Sequence, residues 1–187
     1  LELFKKQGFT EALCGNIAAV NTALACGFSV IADTGLNIYN SASAEAAYNM
    51  GVSEITLSSE MLLSDISRLS SPVPVGIAAY GKLPLMLYRC CPVKNGKSCK
   101  ECGGKGYVTD RRGVVFPVQC RKSFSEMLNS VPIWLADRKA ELAALDFLTL
   151  YFTDETAEQA ENVINAYVNG GAPYEKYTRG LYYRGCI

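Results

Sequence analysis

Five of the eight cysteines lie in one stretch, from Arg89-Cys90-Cys91-Pro92 to Cys120. Seven residues separate Cys91 from Cys99, two separate Cys99 from Cys102 and seventeen separate Cys102 from Cys120. Gly103, Gly104, Gly106 and Gly113 stand between the last pair. Glycine lets the backbone turn tightly enough to bring distant sulfurs back together. A cysteine pair two residues apart beside glycine, with two further thiols at loop distance, is the spacing of a tetrahedral metal or iron–sulfur site. Four thiolates suit zinc and iron–sulfur alike, so spacing leaves the metal open. Adjacent residues point in different directions, so one of Cys90 and Cys91 ligates. Cys91 is the choice, because Pro92 fixes the exit of the loop.

Two other readings compete. Disulfides would suit the even count, but no signal-like segment opens the chain and the body reads as a large α/β core, so a cytoplasmic protein is expected. Plain core thiols suit Cys14 and Cys26, which sit in apolar runs. They suit the cluster badly, since residues 94–105 are too polar to bury much.

Composition narrows the chemistry further. The 187 residues are 49% hydrophobic and 19% charged, which allows one good core or two small ones. Eighteen basic and eighteen acidic residues cancel, so no global field draws in nucleic acid or an anionic membrane. There is no histidine. That removes a Ser-His-Asp triad, a Cys-His dyad and His-ligated zinc from this chain. No apolar run is long enough to span a membrane. The sequence lacks an initiator methionine and ends at Cys186-Ile187, as expected of a piece of something longer.

The elements that must position the cysteines follow from periodicity. A short helix is expected over Leu1–Phe9, a strand over 11–16, and a helix over 17–26 with Ile17, Val20, Ala23 and Leu24 on one face. A buried strand over 28–32 runs into Asp33. Ser41 or Ser43 is expected to cap a helix carrying Ala44, Ala47 and Tyr48, and Gly51 to close it. A strand over 54–57 precedes a helix over 60–69 capped by Ser58 or Ser59. Another strand covers 73–79. Strand, loop and helix thus recur at about twenty-residue steps, the rhythm of a parallel sheet with right-handed crossovers. A β-hairpin follows, Tyr107–Thr109 and Val114–Val118 around Asp110–Gly113, its second strand delivering Cys120. Val131–Ala136 reads as a strand, Asp137 as the cap of a helix to Leu145, and 147–152 as a strand. The last helix, 155–168, turns Ala157, Ala160, Ile164 and Tyr167 inward, with Asp154, Glu155 and Glu158 at its positive end.

The ordered set Gly15-Asn16, Asp33–Asn40, Leu57-Ser58-Ser59-Glu60, Tyr80–Met86, Arg89–Pro92, Asp110-Arg111, Phe116–Cys120, Asn129-Ser130 and Tyr177–Gly180 resembles the peptidase U32 family, also called collagenase-like proteases. Cys90 departs from the family pattern, where a non-cysteine residue usually precedes the Cys-Pro pair. The resemblance implies an α/β fold, the C-terminal half of a TIM-like βα barrel. It implies oxygen-independent hydroxylation of an RNA base in tRNA or rRNA, with prephenate as a co-substrate in some relatives. It also implies a 4Fe-4S cluster, here on Cys91, Cys99, Cys102 and Cys120. The alternatives are a metal-dependent peptidase and a structural zinc-binding module. The expected organisation is βα repeats over 1–88, the cysteine-rich loop with its hairpin over 89–130, final βα units over 131–170, and a C-terminal segment, 171–187, leading to absent domains.

In a βα barrel, functional residues gather at the C-terminal ends of the strands. Those ends offer Asp33 and Glu60 as paired carboxylates for acid–base work or for binding a cationic group, and Asn16, Asn37 and Tyr80 as substrate-binding groups. Asn16, Asp33 and Ser59 also read as helix caps, and Glu60 as a first-turn acid. Arg89, Arg111, Arg112, Arg121 and Lys122 flank the cysteines; they read first as a solvated loop surface, and in the functional reading as a basic rim that holds phosphate or a dicarboxylate. Arg179 stands near Tyr182 and Tyr183, which could stack on bases or pack against the rest of a longer protein. A half barrel leaves open edge strands and a bare apolar layer, so a homodimer is expected.

Overall fold

The computed structural model describes residues 1–95, 98–121, 123–173 and 175–184, apart from the side chains of Asn95 and Cys99. In chain order the elements are α1 (Glu2–Lys6), β1 (Glu11–Cys14), α2 (Ile17–Ala25), β2 (Ser29–Ala32), α3 (Ser41–Asn49), β3 (Glu54–Thr56), α4 (Leu63–Ile66), β4 (Val75–Tyr80) and β5 (Pro84–Tyr88). Then come α5 (Cys99–Cys102), β6 (Lys105–Thr109), β7 (Val115–Cys120), β8 (Ser125–Leu128), α6 (Lys139–Leu142), β9 (Phe147–Leu150) and α7 (Ala157–Asn169).

Two sheets result. The first is parallel and curled into a half barrel, in the order β1-β2-β3-β4-β9. The second is antiparallel, in the order β5-β8-β7-β6, and is inserted between β4 and its neighbour β9. β4 and β9 approach closely at Gly76, where an added Cβ would stand 2.5 Å from the Phe147 carbonyl oxygen. Asp146 locks the same junction: its N–H donates to the Val75 carbonyl at 2.9 Å, and its carboxylate accepts from the Val75 N–H at 2.8 Å.

Near-continuous apolar strands covered by helices make the core. Val30, Ala32, Ile55, Leu57 and Ile77 are fully buried, and Val20, Ala23, Ala44 and Ala47 pack on them from α2 and α3. A second cluster joins Tyr80, Trp134, Ala136 and Val163. In it the Tyr80 and Trp134 rings meet edge to face at 6.0 Å, a geometry the ring quadrupoles favour.

Most expected elements form, with corrections at their ends and faces. α3 is capped by Asn40, whose side chain accepts from the Ser43 N–H, and Ser43 answers as the other half of a capping box. Tyr48 and Ile17 are exposed, since Ala44, Ala47, Val20 and Ala23 already fill the space beneath. The helix expected over 60–69 shrinks to the single turn of α4, which has no side-chain cap. Val131–Ala136 is no strand. Ile133 makes isolated bridges to Gly81 and Thr178, and the segment is buried because Trp134 and Leu135 plug the core. Asp137 caps nothing, because Arg179 holds it in two hydrogen bonds of 2.6 Å. α7 starts at the Thr156 cap; of the expected stripe Ala160 and Tyr167 are half-buried, with Tyr167 against the core, whereas Ala157 and Ile164 are exposed and Val163 is the buried residue. No helix among the described residues is long and apolar enough to cross a membrane.

Candidate functional site at the mouth of the parallel sheet

The antiparallel sheet brings the cysteine-bearing segments to one end. β5 leaves the sheet beside the start of β8, where Tyr88 pairs with Ser125. β7 ends there, with Cys120 opposite Ser125, and β6 begins there, with Lys105 opposite Gln119. Cys91 follows β5, Cys102 precedes β6 and Cys120 closes β7, so chain segments far apart in sequence converge. The Cys91 thiol is hydrogen-bonded to the Ser125 side chain, which holds it below the usual thiol range, with the backbone at Val93 and Lys94 adding to the effect. Directly opposed residues of neighbouring strands stand about 4.5–5.5 Å apart, so Ser125 links Cys91 to Cys120. Gly104, two residues after Cys102, lies against Cys120: a Cβ built on it would stand 3.9 Å from the Cys120 Cβ. The Cys120 N–H also donates to the Gly104 carbonyl at 2.9 Å.

Alternation along the strands separates two faces. Val118, Cys120, Ser125 and Met127 share one; Gln119, Glu126 and Leu128 share the other, with Arg121 continuing it just past β7. The loop after β5 covers the cysteine face. There Val93 presses on Gly106, where any Cβ would stand 2.7 Å from its methyl group. A cavity of about 360 Å³ lies under this loop, lined by Pro92, Val93, Glu101, Cys102 and Tyr107 among others. Cys90, Cys91 and Cys120 carry free thiols. Among the described residues no three Cys, Asp or Glu side chains close into a metal-holding group, and the Cys99 side chain lies outside the described residues. The donors at this sheet end are thiols, the ligand type that zinc and iron–sulfur centres share.

The opposite face covers the C-terminal ends of the parallel strands. Between them is a pocket of about 230 Å³ lined by Asp33, Lys82, Arg121, Glu126 and Tyr151, with Leu83, Pro84 and Leu128 as its apolar wall. Asp33 accepts from the Thr34 N–H at 2.7 Å and from the Tyr151 hydroxyl. Burial, and then the Asp33 carboxylate, push the Tyr151 phenol far up, so it stays a donor at neutral pH. Lys82 donates to both Asp154 carboxylate oxygens at 2.8 Å. Gln119 donates to the Thr153 carbonyl at 3.1 Å, tying the small sheet to the loop after β9.

The expected carboxylate pair lines two adjoining pockets that share Leu83 and Pro84. Asp33 lines this pocket, while Glu60 lines a different cavity, of about 370 Å³, with Leu85, Asn129, Thr178 and Arg184. Asn16 caps α2 by accepting from the Ala19 N–H at 2.8 Å. Asn37 adopts the left-handed conformation at φ 50° and accepts from the Ser58 hydroxyl at 2.5 Å, so it joins two strand-end loops. Tyr80 is wholly buried and donates to Glu155 at 2.9 Å; it is core rather than mouth. Arg179 bonds Asp137 and the Trp134 carbonyl and stacks on Tyr177 at 4.6 Å, a clamp on the C-terminal segment. Tyr182 is buried and donates to the Ala78 carbonyl at 2.9 Å. Arg89, Arg111 and Arg112 are exposed, and Lys122 lies outside the described residues. Sequence reasoning missed Tyr151 and Lys82 as mouth residues. Tyr151 directly follows β9 and Lys82 stands two residues past β4, and that strand-end position is the one signal that could have found them. Comparison with known proteins matches the chain to no family model, to no curated protein and to no solved structure.

Proposed function

We propose that the chain is the cluster-bearing part of an enzyme that hydroxylates an RNA base without oxygen, as the resemblance to the peptidase U32 family implies. The half barrel is then part of a TIM-like barrel. The observation that carries the reading is the convergence of the Cys91, Cys102 and Cys120 segments at one end of a sheet whose other face roofs the strand-end pocket. Cys91, Cys99, Cys102 and Cys120 would hold a 4Fe-4S cluster, which supplies one-electron chemistry when bound. The chain's own contribution is the pocket: Asp33 accepts a proton or orients a polar group, Tyr151 fixes Asp33, and the small sheet excludes water. RNA, prephenate and a second copy of the chain are the partners of this reading.

The test is protein purified without oxygen. A brown protein with iron and acid-labile sulfide supports the proposal; a colourless protein with stoichiometric zinc overturns it. The zinc-knuckle reading has one observation in its favour, the thin core of the antiparallel sheet, since a structural metal supplies stability where burial does not. Peptidase activity is the weaker alternative. It needs a metal with an open coordination position, whereas four thiolates close the shell and the chain has no histidine to act as base.

A further inference from the structure

We infer that the strand-end pocket binds a small amino acid as its zwitterion. The four charged groups lining the pocket are not equally satisfied. Lys82 is neutralised by Asp154 through two 2.8 Å contacts. Arg121 meets Glu126 through one nitrogen at 3.4 Å, and the rest of its five-donor fork has no other partner among the described residues. Asp33 is held only by neutral donors, the Thr34 N–H and hydroxyl and the Tyr151 hydroxyl. Among the described residues no cation pairs with it.

A partly enclosed carboxylate without a cation attracts an ammonium group, and a guanidinium with free donors attracts a carboxylate. One molecule carrying both satisfies both residues. Tyr151 reinforces the arrangement by holding Asp33 through an uncharged hydroxyl donor, which orients the carboxylate without supplying a cation. Leu83, Pro84 and Leu128 offer an apolar wall to a side chain. At about 230 Å³ the pocket is smaller than the ~300–1,000 Å³ of drug-sized sites, so a single aliphatic amino acid matches it and a peptide does not. Recognition by Asp33 and Arg121 does not depend on any metal or cluster, so this inference and the proposed function fail separately.

The test is titration of the full chain with L-leucine, followed by amide chemical shifts and calorimetry at millimolar ligand, against two blocked probes. N-acetyl-leucine lacks the ammonium group and leucinamide lacks the carboxylate. Leucine is expected to shift amides around Asp33, Leu128 and Tyr151, and each blocked probe to bind at least about tenfold more weakly, the loss of one charge-assisted contact. Arg121→Gln removes an exposed side chain and is expected to abolish the preference for leucine over leucinamide. Asp33→Asn is expected to abolish the preference over N-acetyl-leucine. No binding of leucine, or equal binding of all three probes, overturns the inference. The blocked probes decide the matter on the unaltered protein even if Asp33→Asn fails to fold.

Discussion

The two sheets are stabilised by different means. In the parallel sheet, β2, β3 and β4 carry fully buried side chains, and helices press Val20, Ala23, Ala44 and Ala47 onto them. In the antiparallel sheet the buried side chains are only Val118, Ser125 and Leu128, and β5 leaves Leu85, Met86 and Leu87 exposed. Hydrophobic burial is roughly proportional to area removed from water, so the first sheet stands on its own core while the second has little. The second sheet is also the one whose free end collects the thiols. A sheet with a thin core and converging cysteines is where an inorganic cross-link contributes most.

The largest expected effect breaks the well-cored side. Trp134→Ala removes a wholly buried indole that donates to the Gly171 carbonyl at 3.3 Å, and should cost about 3–5 kcal/mol in denaturant unfolding. Gly76→Ala should cost about 1–3 kcal/mol by forcing β4 and β9 apart, readable as faster amide exchange in β9 than in β2. Arg179→Ala should cost a similar ~1–3 kcal/mol, because it strips charge-assisted hydrogen bonds from Asp137. The hydrogen bond and charge of Arg179 hold the Asp137 carboxyl below the ordinary carboxylate range. A depressed folded pKa gives stability that is present above the unfolded value and is lost as pH falls through the folded one. Wild type should therefore lose more stability than Asp137→Asn on acidification below about pH 4.

The smallest global effect should come from the poorly cored side, and it sharpens the contrast. In metal-free protein, Cys120→Ser should leave unfolding of the parallel sheet within about 0.5 kcal/mol of wild type, as substitutions away from a packed core do. In the loaded protein, the same change should raise amide exchange in β6, β7 and β8 and leave β2, β3 and β4 alone.

The parallel sheet was legible in the sequence because its signal is local. Val30 and Ile77 lie in short, mostly apolar runs bounded by glycine, proline or polar residues, and Ile55 alternates with polar neighbours between Gly51 and Ser58, so each strand announces itself locally. The hairpin was equally plain, since Asp110 closes its turn by accepting from the Arg112 and Val114 N–H groups at 2.8 and 2.9 Å. Val131–Ala136 misled because burial by plugging and burial by pairing give the same apolar run. Asp137 misled because its partner, Arg179, lies 42 residues away and no local pattern announces it. At the site, Asp33 was legible as a strand-end acid. Its partner Tyr151 was not, since their contact spans 118 residues and depends on where β9 sits in the sheet. Glu60 was read as a first-turn acid of a helix over 60–69, but α4 begins only at Leu63, and Glu60 instead lines a cavity with Arg184.

The central proposal is that thiols gathered at the end of the small sheet hold an iron–sulfur centre. Iron and acid-labile sulfide determined on protein prepared without oxygen test it most directly. About four of each per chain are expected, lost together in Cys91→Ser. Stoichiometric zinc, or thiols that all react freely with no metal present, would contradict it.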